Sequence, residues 1–204
     1  VNTAVMGRLP GPHYIGGVAV GALLFSFLFW GFGFLRLSTG GLSAQATGAG
    51  DNRELVTLLF RSLILAVAIG LCLLAAGPWA GPLAVKRMGG SSQVQAEAQP
   101  YFSYRIWAAP AALTNFAIMG WFIGQGRSTT AFNTQLFLNL TNMTLSAALV
   151  LGAGFATAGV GLAVVTAEYA AVLLGLFFAA RRLKDMHERP DWAHIFQRDR
   201  FVSL

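Results

Sequence analysis

The sequence predicts an all-α polytopic membrane helix bundle: five whole transmembrane helices, preceded by the end of another. Three observations carry this expectation. Of the 204 residues, 55% are hydrophobic and only 11% charged, and the mean hydropathy is +0.60; a water-soluble domain carries roughly 25% charged residues. Charge-free runs extend from Leu9 to Leu35, Ser62 to Val85, Ile106 to Gly126 and Ser128 to Ala167, each able to hold a bilayer span of about 20 residues. Runs such as Leu63-Ile64-Leu65-Ala66-Val67-Ala68-Ile69 do not alternate apolar and polar positions, which argues against a barrel, the other backbone solution in lipid.

The elements follow in order. Residues 1–9 read as the end of a helix whose beginning is missing, and Pro10-Gly11-Pro12 breaks it. The second span runs from about Tyr14 to Leu37, with a break at Ser38-Thr39-Gly40-Gly41 and a short continuation through Ala49. Asp51, Arg53 and Glu54 mark a loop, and the third span covers Leu55 to Ala76, stopped by Gly77-Pro78-Trp79-Ala80-Gly81-Pro82. Lys86 to Gln99 is polar and reads as a surface loop with a short amphipathic turn. The fourth span, Phe102 to Gly124, contains Pro110, which removes a backbone hydrogen bond and predicts a kink. The fifth is expected over Phe132 to Leu151 and the sixth over Gly159 to Ala180, joined by a glycine-rich turn at Gly152-Ala153-Gly154. Residues 1–180 are therefore one transmembrane unit, and 181–204 a basic segment.

The formal charge of +6 could point to nucleic acid, but there is no soluble basic face to carry that function. Arg181, Arg182, Lys184, Arg189, Arg198 and Arg200 instead follow directly on an apolar span, the positive-inside pattern. This predicts a cytoplasmic C-terminal end. Arg36, Arg61 and Arg105 lie near predicted span ends, where long side chains snorkel to the headgroups. Cys72 is the single cysteine, inside an apolar run, which leaves it a packing role and excludes an internal disulfide. The three histidines are scattered over loops, and no grouping suggests an enzyme, a metal site or a cofactor.

Chemistry concentrates on the fifth span. At about 100° per residue, Gln135, Asn139, Asn142 and Ser146 fall within an arc of about 60°. Amides in hydrocarbon need partners, so this face either lines a polar cavity that binds substrate or ion, or joins neighbouring helices. Glu168 is the one acidic residue expected inside a span, nine positions past Gly159 and so roughly 14 Å into a core about 30 Å thick. It either exchanges protons or remains a neutral acid bonded to a hydroxyl such as Tyr14 or Thr166.

Several stretches resemble the DinF-like branch of the multidrug and toxic compound extrusion (MATE) transporters: Val1-Asn2-Thr3-Ala4-Val5-Met6-Gly7-Arg8-Leu9, Phe34-Leu35-Arg36-Leu37-Ser38-Thr39-Gly40-Gly41, Ala109-Pro110-Ala111-Ala112-Leu113, Gly120-Trp121-Phe122-Ile123-Gly124-Gln125 and Ala167-Glu168-Tyr169. The resemblance implies the N-terminal half of a protein with twelve transmembrane helices in two six-helix lobes. It also implies a partner lobe beyond residue 204, reached through the basic connector. Such a protein would exchange cationic or amphipathic drugs for H+ or Na+ by alternating access. The related proteins carry an aspartate where this chain has Asn2, and the fifth-helix pattern Asn-x-x-Asn-x-x-x-Asp reads here Asn139, Asn142 and Ser146. Both acids are thus replaced by neutral residues, which leaves three expectations open: proton coupling moves to Glu168, it resides in the second lobe, or transport proceeds without protonation in this lobe. Alternatives left open are a flippase for lipid-linked precursors and an inactive structural half.

Overall fold

The structure is a computed structural model that describes residues 11–89, 91–186 and 188. Its order is α1 (Pro12–Gly31), α2 (Phe34–Gly48), α3 (Asn52–Met88), α4 (Ser92–Arg105), a 3-10 turn (Ile106–Ala108), α5 (Ala109–Gly124), α6 (Ser128–Ala147), a π-turn (Ala148–Gly152) and α7 (Ala156–Met186). There is no strand among the described residues. Five apolar units are long enough to cross a bilayer: His13–Gly48, Asn52–Met88, Ser92–Gly124, Ser128–Gly152 and Ala156–Met186. The chain is a multi-pass membrane helix bundle, as its composition predicts. The helical residues 1–9 expected before Pro10 lie outside the described residues, as do Gly90, His187 and 189–204.

Three boundaries differ from the sequence reading. The first helical unit breaks at Phe32-Gly33, not at Ser38–Gly41: Phe32 N–H donates to the Phe29 carbonyl and Gly33 N–H to the Trp30 carbonyl. These are i−3 bonds, and two glycines two residues apart make the tighter turn inexpensive. The third span does not end at Ala76. It runs unbroken through Pro78 and Pro82 to Met88, where Gly89 takes φ 76°. Both prolines are exposed, while the neighbouring Gly77 and Gly81 are buried and admit Ile106 and Phe102. In lipid a helix is the cheapest way to satisfy backbone groups, so it persists past residues that would end it in water.

The predicted loop over Lys86–Gln99 is the third correction. Only 89–91 connect the helices, and α4 begins at Ser92 with the Ser91 hydroxyl accepting from Val94 N–H at 3.3 Å. Serine at an N-cap followed by Gln, Glu and Ala favours a helix despite its polarity. The Pro110 kink is present as the 3-10 turn. Proline cannot donate to the Trp107 carbonyl in that tighter register, and the Tyr169 hydroxyl donates to it instead at 3.2 Å.

Small residues set the helix spacing. Gly70 lies on Pro110, Gly77 on Ile106 and Gly81 on Phe102, so α3 rides close against α4 and α5 across the kink. Gly16, Gly17 and Gly21 bring α1 onto Val94, Glu97 and Tyr101 of α4. The α2 and α5 backbones nearly touch, since a β-carbon on Gly120 would lie 2.5 Å from the Arg36 carbonyl oxygen. The remaining contacts place α7 against α4, α5 and α6. Without a hydrophobic driving force between helices in lipid, such close approach is how they adhere. Cys72 is exposed on α3 rather than packed inside.

Candidate functional site

The polar arc of the predicted fifth span lies on α6 and is only partly enclosed. Ser146 is fully buried, Gln135 and Asn142 are half-buried, and Asn139 is exposed. The face that α6 turns inward carries Ala131, Thr134 and Ser146, with Thr134 near Gly175 of α7. Taken at 100° per residue, the arc is centred roughly 50° round from that contact, so it runs along its edge. Ser146 donates to Asn142 Oδ1 at 3.1 Å within the helix itself. Asn139, the member furthest round, faces out of the bundle with Phe132, Leu136, Leu140 and Met143 nearby on the same exposed helix. Asn2, assigned to the same site from sequence, falls outside the described residues.

Glu168 sits on α7, roughly 18 Å along the helix from Ala156 at about 1.5 Å per residue. Its partner is neither Tyr14 nor Thr166, whose hydroxyl donates to the Leu162 carbonyl. Asn115 of α5 donates through Nδ2 to Glu168 Oε2 at 2.8 Å and to the Glu168 carbonyl at 3.1 Å. Asn115 is 3% exposed, and its Oδ1 has no partner among the described residues. The sequence signal for Asn115 was present but unread: an amide in the middle of the charge-free run from Ile106 to Gly126 must be satisfied by something.

Arg105 and Arg61 do not snorkel. Arg105 lies inside the helix spanning Ser92–Gly124, with its guanidinium carbon 5.0 Å from the Phe25 ring and 6.0 Å from those of Phe29 and Tyr101. It is within electrostatic reach of Glu168, and its Nε is buried without a hydrogen-bond partner. Aromatic faces attract a desolvated guanidinium, which makes an interior position tolerable. Arg61 is 1% exposed, and its Nη1 pairs with Glu54 at 3.5 Å. Arg36 is exposed and stands 5.9 Å over the Phe116 ring, which meets Phe29 edge-on at 6.4 Å. Two guanidinium groups thus flank a short aromatic row.

Glu168 is also not the lone acid in a span, because Glu97 lies in α4. The clefts on the described surface are elsewhere: one of about 470 Å³ between α3 and α4 is lined by Leu74, Gln99, Phe102, Ser103 and Trp107, and no candidate site residue reaches it.

Comparison with known proteins agrees with this architecture. DNA damage-inducible protein F of Escherichia coli (strain K12) is 39% identical over 184 residues, 90% of this chain and 40% of that protein. The outward-facing conformation of a multidrug resistance MATE family transporter of the MOP superfamily superposes with a TM-score of 0.86 at 18% identity, over 98% of this chain and 44% of that one. A MOP superfamily transporter from Pyrococcus furiosus Vc1, in which reverse polarity of the binding pocket suggests a different function, gives 0.87 at 18% identity, over 98% and 44%. The chain therefore spans less than half the length of these relatives. A family model described as MatE matches residues 1–148, and on that match, over a helical bundle of the same fold, the chain belongs to the MatE family of membrane transporters.

Proposed function

We propose that residues 1–180 act as the N-terminal lobe of a secondary exporter in a bacterial inner membrane, with the C-terminal end in the cytoplasm. Together with a second six-helix lobe, it exchanges organic cations or amphipathic compounds for H+ or Na+ by alternating access. The observation that carries this reading is the α6 arc of Gln135, Asn139, Asn142 and Ser146, polar groups at a helix-contact edge where part of the arc stays open. Amide and hydroxyl oxygens bind cations without ionising. Asn2 would join them, and Glu168 would supply the titratable charge that the other positions lack.

The test uses the full-length protein in vesicles, with efflux of a lipophilic cation such as tetraphenylphosphonium driven by an imposed pH or Na+ gradient. Asn139→Leu with Asn142→Leu is expected to abolish efflux, and retention of the wild-type rate would dismiss the arc as a binding surface. Glu168→Gln is expected to uncouple efflux from the pH gradient; unchanged proton flux would remove Glu168 from the mechanism.

A second reading is favoured by one observation. Arg105 is interior rather than at a span end, and a cationic interior suits an anionic solute or a lipid phosphate. Its proximity to Glu168 and the Arg61–Glu54 pair reduce the uncompensated positive charge that such a flippase needs. Efflux of an anionic amphiphile in place of the cation would favour this reading.

A further inference from the structure

Glu97 of α4 and Glu168 of α7 lie on two helices that run side by side in the same direction, and the transport reading uses only Glu168. Glu97 sits in α4 roughly 8 Å along the helix from Ser92, at about 1.5 Å per residue. Its Oε2 accepts from the Thr157 hydroxyl of α7 at 2.9 Å, and Thr157 is itself 2% exposed. Gly17 of α1 lies against the Glu97 β-carbon, where any side chain on α1 would collide. Three helices therefore close on one half-buried carboxylate that has one hydroxyl donor and, among the described residues, no cation paired with it.

Tyr101, Tyr104 and Arg105 follow on α4, Lys86 and Arg87 close α3 beside the start of α4 with no ion pair to Glu97 among the described residues, His13 and Tyr14 lie one turn before Gly17 on α1, and Glu168 lies further along α7. Arg105 is engaged with the Phe25, Phe29 and Tyr101 rings and lies within reach of Glu168. A half-buried negative charge calls for a counter-charge or hydrogen-bond donors. Where the protein offers no counter-charge, a small cation from the water supplies it. An ionised carboxylate accepts at about four lone-pair positions, and a hydroxyl that donates to it keeps lone pairs of its own. Such an oxygen set suits a proton or a hard monovalent ion.

We propose that Glu97 and Thr157 form a second monovalent-cation site of the lobe, taking H+ or Na+ from the side of the membrane at which α4 and α7 begin. This rests on the transporter reading for its purpose, but not for its existence. Proton occupancy forms one O–H bond on the carboxylate and breaks one in hydronium or a buffer acid; Na+ occupancy makes and breaks no covalent bond.

The experiment is thermal unfolding of the full-length protein in lipid nanodiscs, with Na+ replacing choline at constant ionic strength, and separately with falling pH in choline. A ligand that binds the folded state raises the melting temperature. The wild type is expected to show such a rise with Na+, with protons or with both, and which of them acts identifies the cation. Glu97→Gln is expected to abolish a Na+-dependent rise and to diminish a proton-dependent one, to which Glu168 contributes as well. Thr157→Val, which leaves the carboxylate in place, is expected to weaken the rise. No rise in the wild type overturns the site, as does an undiminished rise in Glu97→Gln or a rise lost only in Glu168→Gln. If Glu97→Gln does not fold, an unchanged rise in Thr157→Val overturns it. Absence of tetraphenylphosphonium efflux would count against the transport reading while leaving these melting shifts intact, so the two fail separately.

Discussion

The Asn115 amide donates through one nitrogen to both the carboxylate and the main-chain carbonyl of Glu168, at 2.8 and 3.1 Å, and so fixes α7 to α5 at the level of its half-buried acid. Asn115→Ala removes both bonds and leaves two acceptors of Glu168 with fewer donors. The expected loss is about 1–3 kcal/mol of stability, read as a lower melting temperature in detergent. Asn115→Asp, which offers no amide hydrogens and adds a negative charge beside Glu168, is expected to be worse. A melting temperature equal to wild type in both variants would show that the contact does not hold the helices.

The α2–α5 contact makes a contrasting pair of glycine substitutions informative. A β-carbon at Gly120 meets the Arg36 carbonyl oxygen at 2.5 Å and the Gly40 nitrogen at 3.2 Å, all backbone atoms that cannot swing aside. Gly120→Ala is expected to cost about 1–3 kcal/mol. Gly41→Ala, with nothing within 4 Å of its added carbon, should be neutral or slightly stabilising. Equal melting temperatures for the two would contradict the close approach.

Trp121 is fully buried and donates from Nε1 to the Leu55 carbonyl at 2.9 Å, tying α5 to the start of α3. Trp121→Phe loses that bond and leaves space for part of a ring. The expected cost is about 1–3 kcal/mol, measured by the same melting assay. A loss confined to a few tenths would mean that the α3 terminus relaxes to fill the gap.

Ser146 is fully buried beside Asn142. Placing acids at the two neutral positions, Asn2→Asp with Ser146→Asp, is expected to make tetraphenylphosphonium binding to the full-length protein pH-dependent. A carboxylate attracts the cation and a carboxylic acid does not, so affinity should be high at alkaline pH and fall as pH is lowered. Binding that stays flat with pH would show that the two positions do not share a cavity.

The spans were legible because length and apolarity are properties of the chain itself. Helix breaks were not, because Pro78 and Pro82 end helices where water satisfies freed carbonyls, and in this bundle the Gly77 and Gly81 side packs while the prolines face outward. Glu97 was hidden by its neighbours: Ser91, Ser92, Gln93, Gln95 and Gln99 read as a loop until the Ser91 cap and the facing α1 glycines are seen. The α6 arc could be read from periodicity. The bond from Asn115 to Glu168, 53 positions apart, could not, and neither could the aromatic rings that keep Arg105 inside.

One dimension of α3 ties the lobe to its lipid. Its 37 residues extend about 55 Å at 1.5 Å per residue, against a hydrocarbon layer about 30 Å thick. It must lean or stand proud of the headgroups, and the required lean changes with bilayer thickness. Gly70, Gly77 and Gly81 press α3 directly onto Pro110, Ile106 and Phe102. Hydrophobic mismatch at this helix is thereby delivered to the bend between α4 and α5, so that thin and thick membranes load the same joint differently.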